Sequence, residues 1–171
     1  MKMILRTKFS VFKGVGFKKE QIIYSHGIKN WDDYINANEI KGVSAKLHIS
    51  IREQIEKWDA ALHGFDSKFF FQNLEPSNHW MLFSLFSDNV CYLDIETTGL
   101  TPDHHNTTLV GLYNGSNYVD LVRGHNLSKQ QIQAILKDCK LLVTFYGKRF
   151  DIPFLVKEFV GINHFFYSGI H

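Results

Sequence analysis

The sequence is poor in cysteine and proline, with two of the first and three of the second in 171 residues. Cys91 and Cys139 form no CxxC pair. That argues against a zinc ribbon and a disulfide scaffold, and it suits a reducing cytoplasm. Long apolar runs are also missing. Stretches such as Trp80 to Phe86 are far too short to span a bilayer, so no membrane association is expected. Residues 1–9 are basic but lack an apolar core, so no signal peptide is expected. The net charge is only +2, too small to mark the whole chain as a nucleic-acid binder. No low-complexity segment stands out, and no internal repeat is expected.

Hydrophobic residues make up 44% and charged residues 21%, which predicts a buried core rather than disorder. The charge is uneven. Residues 1–29 hold Lys2, Arg6, Lys8, Lys13, Lys18, Lys19 and Lys29 against one acid, Glu20. Residues 1–89 read as a mainly helical region. Lys18 to Tyr24 and Trp31 to Ala37 are short helix candidates. A longer one starts near Ser44 and runs to His63, with Leu47, Ile51, Ile55, Trp58 and Leu62 on one face and Gly64 as its cap. Another is expected over 78–86, opened by Pro76.

The texture changes at Val90. A strand is expected over Val90 to Glu96. Thr107 to Tyr113 and Asn117 to Val122 read as a hairpin turned by Asn114-Gly115-Ser116. Ser128 caps a helix to Lys137, Leu141 to Phe145 is a buried-type strand, and a last helix covers 151–159. Residues 90–171 therefore predict an α/β domain, with the first strand central, the hairpin on one side and the last strand on the other.

Two carboxylates mark the first strand. Residues two apart on a strand share a face, so Asp94 and Glu96 stand side by side in Leu93-Asp94-Ile95-Glu96-Thr97-Thr98-Gly99. Paired carboxylates repel unless a cation sits between them, and hard oxygen ligands suit Mg²⁺ or Mn²⁺. The simpler reading is a strand end with two solvated acids. Asp151, in Thr144-Phe145-Tyr146-Gly147-Lys148-Arg149-Phe150-Asp151-Ile152-Pro153, is either a helix cap ahead of a first-turn proline or a third metal carboxylate. Lys148 and Arg149 are either turn residues or phosphate-binding cations.

Together the two segments resemble the DEDD, DnaQ-like exonuclease superfamily with its ribonuclease-H-like fold. LDIETTG looks like its first motif. TFYGKRFDIPFL looks like the second, in the form of the bacterial YprB-like family. The resemblance covers residues 90–171, with weaker similarity at Trp31-Asp32-Asp33 and Trp80. It implies a ribonuclease-H-like mixed sheet with flanking helices. Asp94, Glu96 and Asp151 would bind two Mg²⁺ or Mn²⁺ ions. Thr97, Thr98, Gly147, Lys148 and Arg149 would face DNA or RNA, and the implied activity is 3′–5′ exonuclease. Two positions depart from that family. Tyr146 stands where the family usually has Asn. No Asp follows a His or Tyr by four residues, so the third motif is missing. His164 and His171 are not expected to substitute. The expectation is a catalytic domain cut short, and the rivals are a non-catalytic nucleic-acid-binding protein or an inactive fragment.

Near the start, Phe12-Lys13-Gly14-Val15-Gly16-Phe17-Lys18-Lys19 resembles the turn of a helix-hairpin-helix module. Gly14 and Gly16 would tighten the turn, and Lys18 and Lys19 would reach phosphate. The alternative is an ordinary glycine turn. Phe69-Phe70-Phe71 and Trp80-Met81-Leu82-Phe83 read as core or domain-contact residues rather than base-stacking platforms.

Overall fold

A computed structural model describes residues 4–162 of the chain. His164 and His171 lie outside the described residues. The chain forms two compact units that alternate along the sequence. One takes residues up to Asp66 together with Trp80–Leu85, and the other takes Ser67–His79 and everything from Phe86.

The first unit is helical. Its elements are α1 (Phe17–Ser25), α2 (Trp31–Asn36) and α3 (Ala45–His63). Ser44 caps α3, its side chain accepting from the Leu47 N–H at 3.3 Å, and Asn30 caps α2 in the same way through Asp33. Along α3, Ile51, Ile55, Trp58 and Leu62 are buried on one face, as their spacing predicts. They meet an aromatic cluster. Phe12 lies 5.2 Å from Trp31 and 5.8 Å from Trp58, and Phe9 lies 5.5 Å from Tyr34, ring centre to ring centre. The indole N–H of Trp31 donates to the Lys8 carbonyl at 2.8 Å, so its one polar group is satisfied.

The expected absence of an internal repeat is corrected here. Phe12-Lys13-Gly14-Val15 and Ile40-Lys41-Gly42-Val43 fold alike. Gly14 and Gly42 have φ of 90° and 89°, where a side chain is disfavoured. In each copy the Val N–H donates to the carbonyl of the residue three before it, at 3.0 and 2.9 Å. The first copy leads into α1 through Gly16, the second into α3 through Ser44.

The second unit opens with α4 (Ser67–Asn73), for which the sequence offers no periodic signal. Phe70 is fully buried and packs on Phe86, consistent with a core role. The single helix expected over 78–86 is instead a 3₁₀ stretch, Pro76–Leu82, followed by the short α5 (Phe83–Phe86).

A mixed sheet follows, of β1 (Val90–Thr97), β2 (Thr107–Tyr113), β3 (Tyr118–Val122) and β4 (Leu141–Val143), in the order β3-β2-β1-β4. β1 pairs antiparallel with β2 and parallel with β4, so it is central as expected. Helices α6 (Lys129–Leu136) and α7 (Asp151–Glu158) cover one face. Their Ile132, Leu136, Ile152, Phe154 and Leu155 join Cys91, Leu93, Ile95, Val110, Leu112 and Leu142 in one core. β4 stops two residues before its expected end. Phe145 is 91% exposed, and Tyr146 turns the chain with a φ of 61°.

Candidate functional site

The sheet's second face carries Tyr92, Asp94 and Glu96 of β1, all exposed. The pairing register sets their neighbours. Asp94 lies opposite Gly111, which lies opposite Asp120. One step along, Tyr92, Tyr113 and Tyr118 make a parallel row of rings. These two rows, with Glu96, Val143, Thr144 and Phe145, line an open groove of ≈ 890 Å³. Gly111 is the low point of the acid row, because a side chain there would meet the Tyr118 hydroxyl at 3.1 Å. Tyr118 stands over it with its phenol pKa raised, chiefly by a hydrogen bond to Asp120.

At the end of β1 the register shifts between Glu96 and Thr97, and the chain leaves the sheet. The Thr97 hydroxyl donates to the Gly99 carbonyl at 2.5 Å. Thr98 closes the following loop, accepting from the Asn106 N–H at 3.0 Å while its own N–H reaches the Asn106 carbonyl.

The turn after β4 carries the second segment. Gly147 is buried where a side chain would collide with Thr144. Its carbonyl accepts from the Ile152 N–H at 2.9 Å, which closes the turn onto α7. Lys148 and Arg149 are exposed. The Arg149 guanidinium lies 5.8 Å from the Tyr146 ring centre and also donates to its hydroxyl. A neighbouring pocket of ≈ 290 Å³ is lined by Thr144, Tyr146, Gly147, Lys148 and Arg149, so Thr144 borders both cavities. Tyr146 carries an uncommon backbone, costing about 1 kcal/mol for a residue with a side chain. Tyr146→Asn is expected to recover roughly half to all of that. Chemical denaturation checks it, and an unchanged or lower midpoint would show that the ring's contact with Arg149 outweighs the strain.

Asp151 is the first residue of α7 rather than its cap, a position held by Phe150. It is 1% exposed, and its Oδ1 has no hydrogen-bond partner among the described residues. Burial pushes its carboxyl above the usual carboxylate range and the charge of Asp94 adds to the push, while the N–H groups of Asp151 itself and Ile95 pull the other way. A divalent cation fits this observation, since a hard cation would satisfy the orphan oxygen and offset the repulsion. Among the described residues, no three His, Cys, Asp or Glu side chains gather as a ready metal cage. The donors in hand are therefore the Asp94–Asp151 pair, with Glu96 two residues along the same strand face.

In the first unit, Gly14, Gly16 and Lys18 are exposed, while the Lys19 ammonium donates to the Gly42 carbonyl at 2.7 Å. Asp120, Tyr118 and Gly111 are the groove residues that sequence reading missed. The hairpin register was the signal that could have found them.

The unit is thus a mixed sheet with helices packed on one face and an acid at the centre of the other. Residues 91–168 match the family model described as the RNase_H superfamily, over a little under half of the chain. At that level the unit is similar to nucleases that hydrolyse nucleic acid and generally use divalent metals. No curated protein matches the chain. Among the described residues, no helix is long and apolar enough to cross a membrane.

Proposed function

We propose that the α/β unit works as a metal-dependent 3′–5′ exonuclease on the terminal phosphodiester bonds of DNA or RNA. The observation that carries this reading is the buried, unpartnered Oδ1 of Asp151, on a carboxyl that the charge of Asp94 opposes. Carboxylates held this way cost stability until a cation joins them. Asp94, Glu96 and Asp151 would hold Mg²⁺ or Mn²⁺, which when bound lowers the pKa of a water and stabilises charge on the phosphate.

The chain's own residues do the rest. Lys148 and Arg149 are exposed at the groove's edge and supply positive charge for a phosphate backbone. Thr97 and Thr98, fixed by the bonds of the loop that follows β1, stand beside the terminal nucleotide. Tyr92 and Tyr113, with ring centres 6.0 Å apart, offer apolar faces for a base. In the helical unit, Gly14, Gly16 and Lys18 are a further contact for the backbone, with Lys19 bracing the turn. The 3′–5′ direction rests on the likeness of LDIETTG and TFYGKRFDIPFL to the exonuclease motifs. The free thiols of Cys91 and Cys139 suit the reducing cytoplasm.

A second reading, nucleic-acid binding without catalysis, is favoured by the small number of carboxylates gathered among the described residues. Titration with Mn²⁺ tests the metal first. The wild-type chain is expected to bind Mn²⁺, and Asp94→Asn to abolish the binding. Equal binding by both proteins would sink the assignment. A 5′-labelled single strand then separates the two readings: a ladder shortened from its 3′ end supports the exonuclease, and an intact strand supports binding alone.

A further inference from the structure

The chain's only two cysteines come together in the α/β unit, on the helical side of the sheet. Cys91 is the second residue of β1, and its side chain lies in the core with residues of α6 and α7. Cys139 follows α6, its N–H donating to the Leu136 carbonyl at 3.0 Å, and it is half-buried against the same core. The chain then runs alongside β1. The Lys140 N–H donates to the Asn89 carbonyl at 2.9 Å, and Leu141 and Leu142 pair with Val90 and Cys91.

The two thiols interact through their side chains. The Cys139 S–H donates to the Cys91 sulfur, which also accepts from the Tyr113 N–H. The bond from Cys139, helped by the one from Tyr113, outweighs burial and brings the Cys91 thiol below the usual 9.0. Cys139, as the donor and itself buried, is pushed up. A thiol inclined to ionise thus sits beside one that keeps its proton, which suits stepwise oxidation of the pair.

Both cysteines line a pocket of ≈ 460 Å³, walled also by Asn89, Asn114, Asn117, Lys137 and Asp138. It shares no residue with the acid groove on the sheet's other face. Hydrogen peroxide is only a little larger than water, which occupies about 30 Å³ in the liquid, so the pocket has ample room for it. Packing needs neither sulfur, because a small apolar side chain would fill either place. It does not explain why the two cysteines meet at one polar pocket.

We propose that Cys91 and Cys139 are a modification site, a dithiol that hydrogen peroxide oxidises to a reversible disulfide fastening β1 to the chain entering β4. The Cys91 thiolate attacks one peroxide oxygen and the O–O bond breaks. The departing hydroxide takes a proton and leaves as water, and Cys91 becomes a sulfenic acid. The Cys139 sulfur then attacks the Cys91 sulfur, the S–O bond breaks, and the Cys139 proton leaves with the hydroxide as a second water. Each sulfur gives up one electron, and the two peroxide oxygens take them. A thiol reductant reverses the bond by exchange. The disulfide closes residues 91–139 into a loop, which restricts the unfolded chain. Asp94 stands on the strand so fastened, and β4 leads into the turn that ends at Asp151. Oxidation therefore ties together the two segments that carry these acids.

The test uses the full chain, reduced, desalted and held in EDTA, so its result is independent of the metal reading. Hydrogen peroxide in slight excess is expected to remove both titratable thiols and to lower the mass of the monomer by about 2 Da, and dithiothreitol to restore both. Peptide mapping without reduction should find the Cys91 and Cys139 peptides joined. The oxidised chain should unfold about 5–15 °C above the reduced one. In Cys139→Ser, peroxide should leave Cys91 as a sulfenic acid that dimedone captures, with no rise in unfolding temperature. In Cys91→Ser, loss of the remaining thiol should be about tenfold slower than in the wild type. The proposal is overturned if both wild-type thiols survive the treatment, if they take up oxygen without joining, or if a disulfide forms only between two chains. It is overturned equally if the internal disulfide forms and the unfolding temperature does not rise. These wild-type outcomes decide the matter even where a serine variant fails to fold.

Discussion

Asp151→Asn is expected to be more stable than the wild-type chain in EDTA, by about 1–2 kcal/mol, and to gain nothing from Mn²⁺. The wild type should gain about 2.7 kcal/mol when Mn²⁺ is at a hundred times its dissociation constant. The opposite signs follow from one buried carboxyl. Asp151 has an unpartnered Oδ1, and burial, with help from Asp94, raises its pKa above the usual 3.8. A raised carboxyl pKa means the native state takes the proton more readily than the unfolded chain. Stability from this group is then fullest below pH 3.8 and is lost as pH rises from there through the folded pKa. Asn removes the ionisation, so its advantage should be present at pH 7 and shrink as pH approaches 4. Calorimetry over that range checks it. A variant less stable than the wild type in EDTA at pH 7 would mean that the carboxylate is already well solvated or paired.

Glu20→Ala is expected to cost about 3–4 kcal/mol, the largest loss from any single charged side chain in the helical unit. Its Oε1 accepts from the Phe9 N–H at 2.8 Å and the Ser10 N–H at 2.9 Å, and Oε2 lies 3.3 Å from the Lys8 ammonium. Alanine would orphan two backbone donors beside the aromatic cluster. Burial alone would raise this carboxyl's pKa, but the Ser10 and Phe9 N–H groups and Lys8 outweigh it, and the net shift is downward from 4.5. The pH dependence therefore runs opposite to that of Asp151. Glu20 contributes fully above pH 4.5 and loses its contribution as pH falls through its folded pKa. Tryptophan fluorescence in urea reads this unit selectively, because Trp31, Trp58 and Trp80 all belong to it. Glu20→Gln keeps one acceptor oxygen and should lose only about 1–2 kcal/mol. If the alanine variant unfolds within about 0.5 kcal/mol of the wild type, the buried carboxylate is not what holds Phe9 and Ser10 in place.

The sequence made some of this architecture legible and hid the rest for identifiable reasons. The sheet order could be read because β1 is a short apolar strand, the hairpin carries a strong turn, and β4 returns after a capped helix. The long helix α3 could be read because its apolar spacing runs unbroken. Helix α4 could not, since three consecutive phenylalanines carry no period and only Phe70 points fully inward. The repeated turn was hidden because its copies share only Lys, Gly, Val and a late Lys, while their glycines have the same φ to within a degree. Asp94, Glu96 and Asp151 could be picked out by motif. That Asp120 belongs beside Gly111 required the hairpin register, which pairs Tyr113 with Tyr118 across a four-residue loop.

The two compact units share the chain in alternation, with residues 67–79 lent to the second unit before Trp80–Leu85 returns to the first. No single cut therefore yields both halves whole. Cleavage at 89/90 would strip the α/β unit of the packed pair Phe70 and Phe86, while cleavage after Asp66 would take Met81 and Leu82 from the helical unit. Separating the units needs two breaks and a rejoining. The chain therefore passes from one unit to the other three times rather than once.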